Sequence, residues 1–211
     1  MAGSCCQTPL PPSGDSRFRR VLWLALGINL AMFGTEIVAG VLAGSLSLQA
    51  DALDFLGDSA NYAVSLMVVG MALRWRATAA VAKGLTMTAF GLWLIGATVW
   101  HAVAGTVPHA PTMGVVGALA LFANAAVFVL LWSFRSGDSN MRSAWLCSRN
   151  DVLGNIAVLL AAAGVFGTGA GWPDLVVAVV MALLALQGGA LTLRLAAREL
   201  AQERNRAVAA E

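Results

Sequence analysis

Six apolar stretches, each long enough to cross a membrane, constrain this chain more than any other feature. A helix rises about 1.5 Å per residue, so roughly 20 apolar residues span the hydrocarbon core of a bilayer. The stretches cover residues 21–44, 52–73, 82–103, 112–134, 143–165 and 172–193. The sequence therefore predicts an all-α membrane protein with six transmembrane helices.

The composition agrees with this interpretation. Hydrophobic residues make up 59% of the 211 residues and charged residues 11%, with a mean hydropathy of +0.76. A soluble domain carries roughly one-quarter charged residues, so this class is excluded. We predict a flexible cytoplasmic tail over residues 1–20, a six-helix transmembrane domain over 21–193, and a short cytoplasmic helix or tail over 194–211.

The basic residues predict the orientation of the helices. They precede the first apolar stretch, lie in the second and fourth connections, and follow the sixth stretch, whereas the first, third and fifth connections contain no Lys or Arg. Lys and Arg are enriched in cytoplasmic loops. Both termini are therefore predicted to be cytoplasmic.

The three cysteines do not form a disulfide framework. Cys5 and Cys6 are adjacent in the polar tail, and Cys147 lies in an apolar stretch, which favours a reducing compartment. The pair in the tail could bind a soft metal in the cytoplasm, but an unstructured tail is the commoner explanation.

Three aspartates at the start of the second stretch are the first candidates for function. Asp51, Asp54 and Asp58 lie on one helical stripe, because their offsets are three and seven residues. Asp51 is expected at the outer headgroup level, as an ordinary solvated helix start. A charge deep in a membrane helix is costly, so Asp58, like Asp151 in the fifth stretch, is predicted to be functional.

The fifth stretch supplies a second pair of candidates, since Cys147 and Asp151 share a helical face. If this face meets the second helix, Asp54, Asp58, Cys147 and Asp151 form a four-ligand site of the kind that zinc favours. The predicted boundaries leave Asp58 about 10 Å outward of Asp151, unless tilt or shifted helix ends close the gap. Asn29 and Glu36 either line the same cavity or bond to neighbouring helices.

Three segments give the chain a resemblance to a known family. They read EIVAGVLAGSLSLQADALDFLGD over residues 36–58, DSNMRSAWLCSRNDVLGNI over 138–156 and GWPDLVVAVVMALLAL over 171–186. With the six-helix pattern, they resemble the cation diffusion facilitator family of divalent-metal exporters. The chain is similar to a short form of that family, without a cytoplasmic C-terminal domain or a His-rich loop.

The resemblance implies a function and a set of ligands. The family has paired ligands one turn apart on helices two and five, which here are Asp54 with Asp58 and Cys147 with Asp151. It implies proton-coupled efflux of Zn²⁺, Cd²⁺, Co²⁺ or another thiophilic ion across a bacterial inner membrane, with the metal as substrate and no resident cofactor. The implied partners are protons, the bilayer and a possible homodimer, without nucleic acid and without enzymatic activity.

Two other functions use the same residues. A metal-binding membrane sensor would bind the ion without moving it, and an intramembrane aspartyl protease would need two membrane aspartates. The sequence around Asp58 lacks the Gly-x-Gly-Asp arrangement of such proteases, and Asp151 has no such context either. Metal uptake by inverted vesicles under a proton gradient discriminates the transporter from the other two.

The predicted topology is testable with reporter fusions. Reporters placed after Leu193 or inserted near Arg76 or Gly137 should read cytoplasmic, and one near Pro108 should read external, because basic residues avoid the odd-numbered connections. A cytoplasmic signal at Pro108 would remove the third or fourth helix from the topology.

Overall fold

A computed structural model of the protein describes residues 16–67, 73–135 and 139–208, and the regular structure in these ranges is helical. Cys5 and Cys6 lie outside them. A short 3₁₀ turn, Trp132–Phe134, extends the fourth helix. The six α-helices are α1 (Ser16–Ala43), α2 (Leu46–Met67), α3 (Leu73–Ala104), α4 (Ala110–Leu131), α5 (Ser139–Thr168) and α6 (Trp172–Val208).

The predicted all-α class is confirmed. Five of the described helices are long and apolar enough to cross a membrane, and α2, with 22 residues and three aspartates, is the exception. A helix rich in carboxylates tolerates a bilayer when its polar side chains face other helices. The last helix continues as one element through the charged stretch to Val208.

Left-handed glycines end three of the helices. Gly44, Gly105 and Gly169 follow α1, α3 and α5 with φ of +66°, +67° and +63°. Only glycine adopts this conformation without a steric penalty, and it closes the last helical turn. After Gly44, for example, the Ser45 N–H donates to the Gly40 carbonyl at 2.9 Å. We call the side of the bundle that holds Gly44, Gly105 and Gly169 the glycine end. The opposite side, where α1 begins at Ser16, is the terminal end.

The first turn of α2 is held by a carboxylate from α6. The fully buried Asp174 accepts hydrogen bonds from the Leu46 and Ser47 N–H groups at 2.8 and 3.1 Å. It also accepts hydrogen bonds from the hydroxyl groups of Ser45 and Ser47, at 2.7 and 2.6 Å. Asp174 also lies in the first turn of α6. Its negative charge therefore interacts favourably with the positive N-terminal ends of both the α2 and the α6 dipole.

This contact corrects the predicted start of α2. The helix begins at Leu46, six residues before the predicted residue 52, because Ser45 caps it and Asp174 satisfies its free N–H groups. Asp51 is consequently inside the helix and buried, and the expectation of a solvated helix start is wrong.

The helices pack as two groups. α1, α2, α4 and α5 contact one another around a buried interior, and α3 lies along α6. Glycines allow α3 and α6 to approach closely: a Cβ on Gly91 would lie 2.8 Å from Leu186 Cγ, and one on Gly84 would lie 2.7 Å from Leu193 Cγ. Small residues at helix contacts are the usual means of close packing in membranes.

We predict that Asp174→Asn destabilises the protein by on the order of 2 to 3 kcal/mol, the range for a hydrogen-bonded charge that loses a partner. The amide nitrogen cannot accept from the Leu46 N–H, which is left buried without an acceptor. The measurement is thermal unfolding in detergent, with exposed Val107 at the same end mutated to alanine as control. Equal unfolding midpoints for Asp174→Asn and the parent would contradict the role given to this carboxylate.

Candidate metal centre

A hydrogen bond between side chains sets the register of α2 against α5. The Asn155 Nδ2 group on α5 donates to Asp51 Oδ2 on α2, and both side chains are buried. The two helices run antiparallel, because α2 begins beside Asp174 near the start of α6, and only three residues separate the end of α5 from the start of α6. Moving inward from this bond, the numbering increases along α2 and decreases along α5.

This register brings the predicted ligands to matching depths. Asp54 lies three residues beyond Asp51 on α2, and Asp151 lies four residues before Asn155 on α5. The second level follows the same rule, since Asp58 is seven residues beyond Asp51 and Cys147 is eight residues before Asn155. Each level is matched within one residue, about 1.5 Å. In this register Asp58 and Asp151 differ by three residues, about 4.5 Å, in place of the roughly 10 Å expected from the sequence.

The surroundings of the four candidates differ. Asp54 is exposed, Asp151 is half-buried, and Asp58 is buried and accepts a hydrogen bond from the Tyr62 hydroxyl at 3.2 Å. The backbone of Cys147 belongs to α5, but its side chain is outside the description. Among the side chains that are described, no three His, Cys, Asp or Glu residues form a group that could hold a metal ion. The four-ligand set remains a prediction.

Glu36 lies deep in the same bundle. Its side chain is 0% exposed, and its carboxyl group lies within hydrogen-bonding range of Asp51. Asn29 is buried on the same helix, where its Nδ2 group donates to the Ala25 carbonyl at 2.8 Å. Of the two options left open by the sequence, Glu36 therefore faces another helix, and the amide group of Asn29 bonds to its own helix.

A chain of neutral polar groups supports Asp51. The Asn124 Nδ2 group on α4 donates to Asn155 Oδ1 at 2.9 Å, and the Ser148 hydroxyl on α5 donates to the Asn124 carbonyl at 3.4 Å. All three residues are buried. Because Asn124 occupies the Asn155 oxygen, the Asn155 amide nitrogen is directed to Asp51.

Sequence reasoning missed three of these positions. Asn124 is a lone polar residue in an apolar stretch, and Asn155 follows Asp151 by one turn, so each carried a detectable signal. Asp174 stood next to Pro173 at a helix start and was interpreted only as part of a family segment. The partners of all three lie on other helices and are distant in sequence.

Comparison with known proteins agrees with the fold. The model of the cation efflux transmembrane domain matches residues 22–201, which is most of the chain. That range includes all six described helices except the first turns of α1 and the end of α6.

Several bacterial proteins are similar to this chain. The zinc transporter ZitB of Escherichia coli is 30% identical over 200 residues, which cover 89% of this chain and 64% of the relative. The metal cation efflux system protein CzcD of Cupriavidus metallidurans is 27% identical over 191 residues, or 83% and 58% of the two chains.

A cadmium, cobalt and zinc/H⁺-K⁺ antiporter of Bacillus subtilis is 28% identical over 190 residues, which cover 81% of this chain and 60% of the relative. The chain thus spans about 60% of the length of the curated relatives that it matches. The apolar helices and the bacterial relatives indicate a multi-pass protein of the bacterial inner membrane. With its matched domain and its helical bundle, the chain belongs to the cation efflux family, also called the cation diffusion facilitators.

Proposed function

We propose that this protein exports divalent metal cations from the cytoplasm in exchange for protons, with Zn²⁺ as the main substrate and Cd²⁺ and Co²⁺ as further ones. The observation that supports the proposal is the Asn155–Asp51 hydrogen bond: counting residues from it along the two helices pairs Asp54 with Asp151 and Asp58 with Cys147. Four ligands at two adjacent levels suit one tetrahedral ion.

The chemistry of the four side chains explains why the same site can bind metal and protons. Two carboxylates one turn apart repel each other when ionised, and a divalent ion between them removes this repulsion. Carboxylates and a thiol must lose their protons to coordinate a metal, so binding of the ion releases protons and protonation releases the ion. Alternate exposure of the site to the two sides of the membrane then couples the two fluxes.

The relatives support this choice of substrates. Their names describe zinc transport, metal cation efflux, and antiport of cadmium, cobalt and zinc against H⁺ and K⁺. The thiol of Cys147 favours the same thiophilic ions over Mn²⁺ and Mg²⁺, which prefer oxygen ligands. Gradient-driven zinc uptake by inverted vesicles tests the proposal, and binding without uptake would point to a sensor instead.

We expect Asp58→Asn and Asp151→Asn each to reduce zinc transport on the order of 10- to 100-fold or more, since loss of even a supporting group has effects of this size. The change removes one charged ligand and preserves side-chain volume. Zinc uptake by vesicles and the amount of protein in the membrane are measured together.

The control for both variants is Gln187→Ala, an exposed position on α6. Full transport by either aspartate variant at parental membrane levels would refute the assigned site. If a variant loses both transport and membrane protein, Asp58→Glu and Asp151→Glu, which retain the carboxylate, are measured in its place.

Cys147 variants should separate metal choice from metal transport. Cys147→His should transport zinc, because zinc accepts imidazole and thiolate alike, while its preference for cadmium should fall. Cys147→Ser should lose more activity, because a neutral hydroxyl is a poor ligand. Competition of zinc with cadmium and manganese in vesicles measures both effects. If Cys147→Ala transports all three metals as the parent does, the thiol is not a ligand.

A further inference from the structure

Glu36 and Asp51 form a buried acidic pair that the proposed metal centre does not use. The two residues are 0% and 1% exposed, and their carboxyl groups lie within hydrogen-bonding range of each other across the interface of α1 and α2. Asp51 precedes the ligand levels on the side of the glycine end, since it is one turn before Asp54 on α2.

The Glu36 carboxyl group receives no hydrogen bond from a conventional donor. Neither of its oxygens accepts from an N–H or O–H group among the residues that the structure describes. Asp51 does accept from Asn155, whose orientation is held by Asn124. A buried carboxyl oxygen without a donor is costly, so Glu36 requires a proton or a cation.

The charged side chains near the pair, among the described residues, include further acidic groups. Asp51 and Asp54 of α2 are the acidic neighbours of Glu36. The polar side chains that reach Asp51 from α5, and behind it from α4, are the neutral amides Asn155 and Asn124. Two facing carboxylates in such surroundings cannot both be ionised without a positive charge between them.

The donor set favours a proton over a metal ion. A zinc site takes four ligands and harder divalent ions take six or more, whereas the described side chains include no group of three His, Cys, Asp or Glu residues that could hold a metal ion. The Asn155 N–H already faces Asp51 and would oppose a nearby metal. A proton, in contrast, needs only one oxygen from each carboxyl group.

We propose that Glu36 and Asp51 share one proton and form a proton-binding site separate from the metal ligands. This role in transport rests on the proposed exchange function. Metal arriving at Asp54 places positive charge one turn from Asp51, which favours loss of the shared proton. By linkage, proton binding at the pair weakens metal binding to the same extent. The hydrogen-bonded side chains of Asn124 and Asn155 orient Asp51 toward Glu36.

Difference infrared spectroscopy tests the shared proton without a transport assay. In the zinc-free protein near neutral pH, we expect the carbonyl stretch of a protonated carboxylic acid, absent from Glu36→Gln and shifted or absent in Asp51→Asn. Thr35→Ala, an exposed neighbour on α1, should retain the band. The inference is overturned if the parent lacks the band or if Glu36→Gln retains it unchanged. If Glu36→Gln does not fold, Asp51→Asn alone decides the question.

Proton release on zinc binding tests the link to the metal. In weakly buffered detergent solution, Glu36→Gln should release about one proton fewer per zinc ion than the parent, because metal binding no longer displaces the shared proton. Equal release by variant and parent overturns the link, and loss of a stoichiometric zinc ion in the variant overturns the choice of a proton over a metal. Absence of zinc uptake by parental vesicles refutes the proposed function alone, because the infrared band does not depend on transport.

Discussion

The buried start of α2 is the constraint on which the rest of the bundle depends. At a helix end in hydrocarbon, no water is present to accept hydrogen bonds from the free N–H groups. Each unsatisfied N–H group costs several kcal/mol of stability. Asp174 meets this demand from another helix, together with Ser45 and Ser47. Because the cap begins the helix at Leu46, Asp51 lies within α2 and is buried, as is Asp58, and Asp51 is not a solvated helix start.

The second consequence of this start is the register between α2 and α5. Asp51 lies within the helix and accepts a hydrogen bond from Asn155, and this bond is the basis for proposing that the two candidate ligand pairs further along are aligned. Buried polar groups in a membrane bundle are satisfied by one another, and a network of neutral amides orients a charge without adding one. Asn124 and Asn155 fill this role, so Asp51 accepts its hydrogen bond from a group that carries no compensating charge.

Much of this architecture could be predicted from the chain alone. Hydropathy gave six helices, and the spacing of Asp54 with Asp58 and of Cys147 with Asp151 gave the paired ligand candidates. The start of α2 could not be predicted, because its cap comes from Asp174, 128 residues after Leu46. The depth match was hidden for the same reason: it depends on an inter-helix bond from Asn155 that periodicity does not encode.

The two helix groups are joined at the glycine end, and this has a mechanical consequence. At the glycine end, Asp174 of α6 accepts a hydrogen bond from the first turn of α2. Beside it, Leu46 and Ala50 of α2 pack with Ala178 and Ala182 of α6. The glycine contacts make α3 and α6 a close pair that can turn as one lever. A rotation of this lever that preserves the Asp174 bonds has its pivot at the glycine end, so the widest excursion falls at the opposite mouth of the bundle.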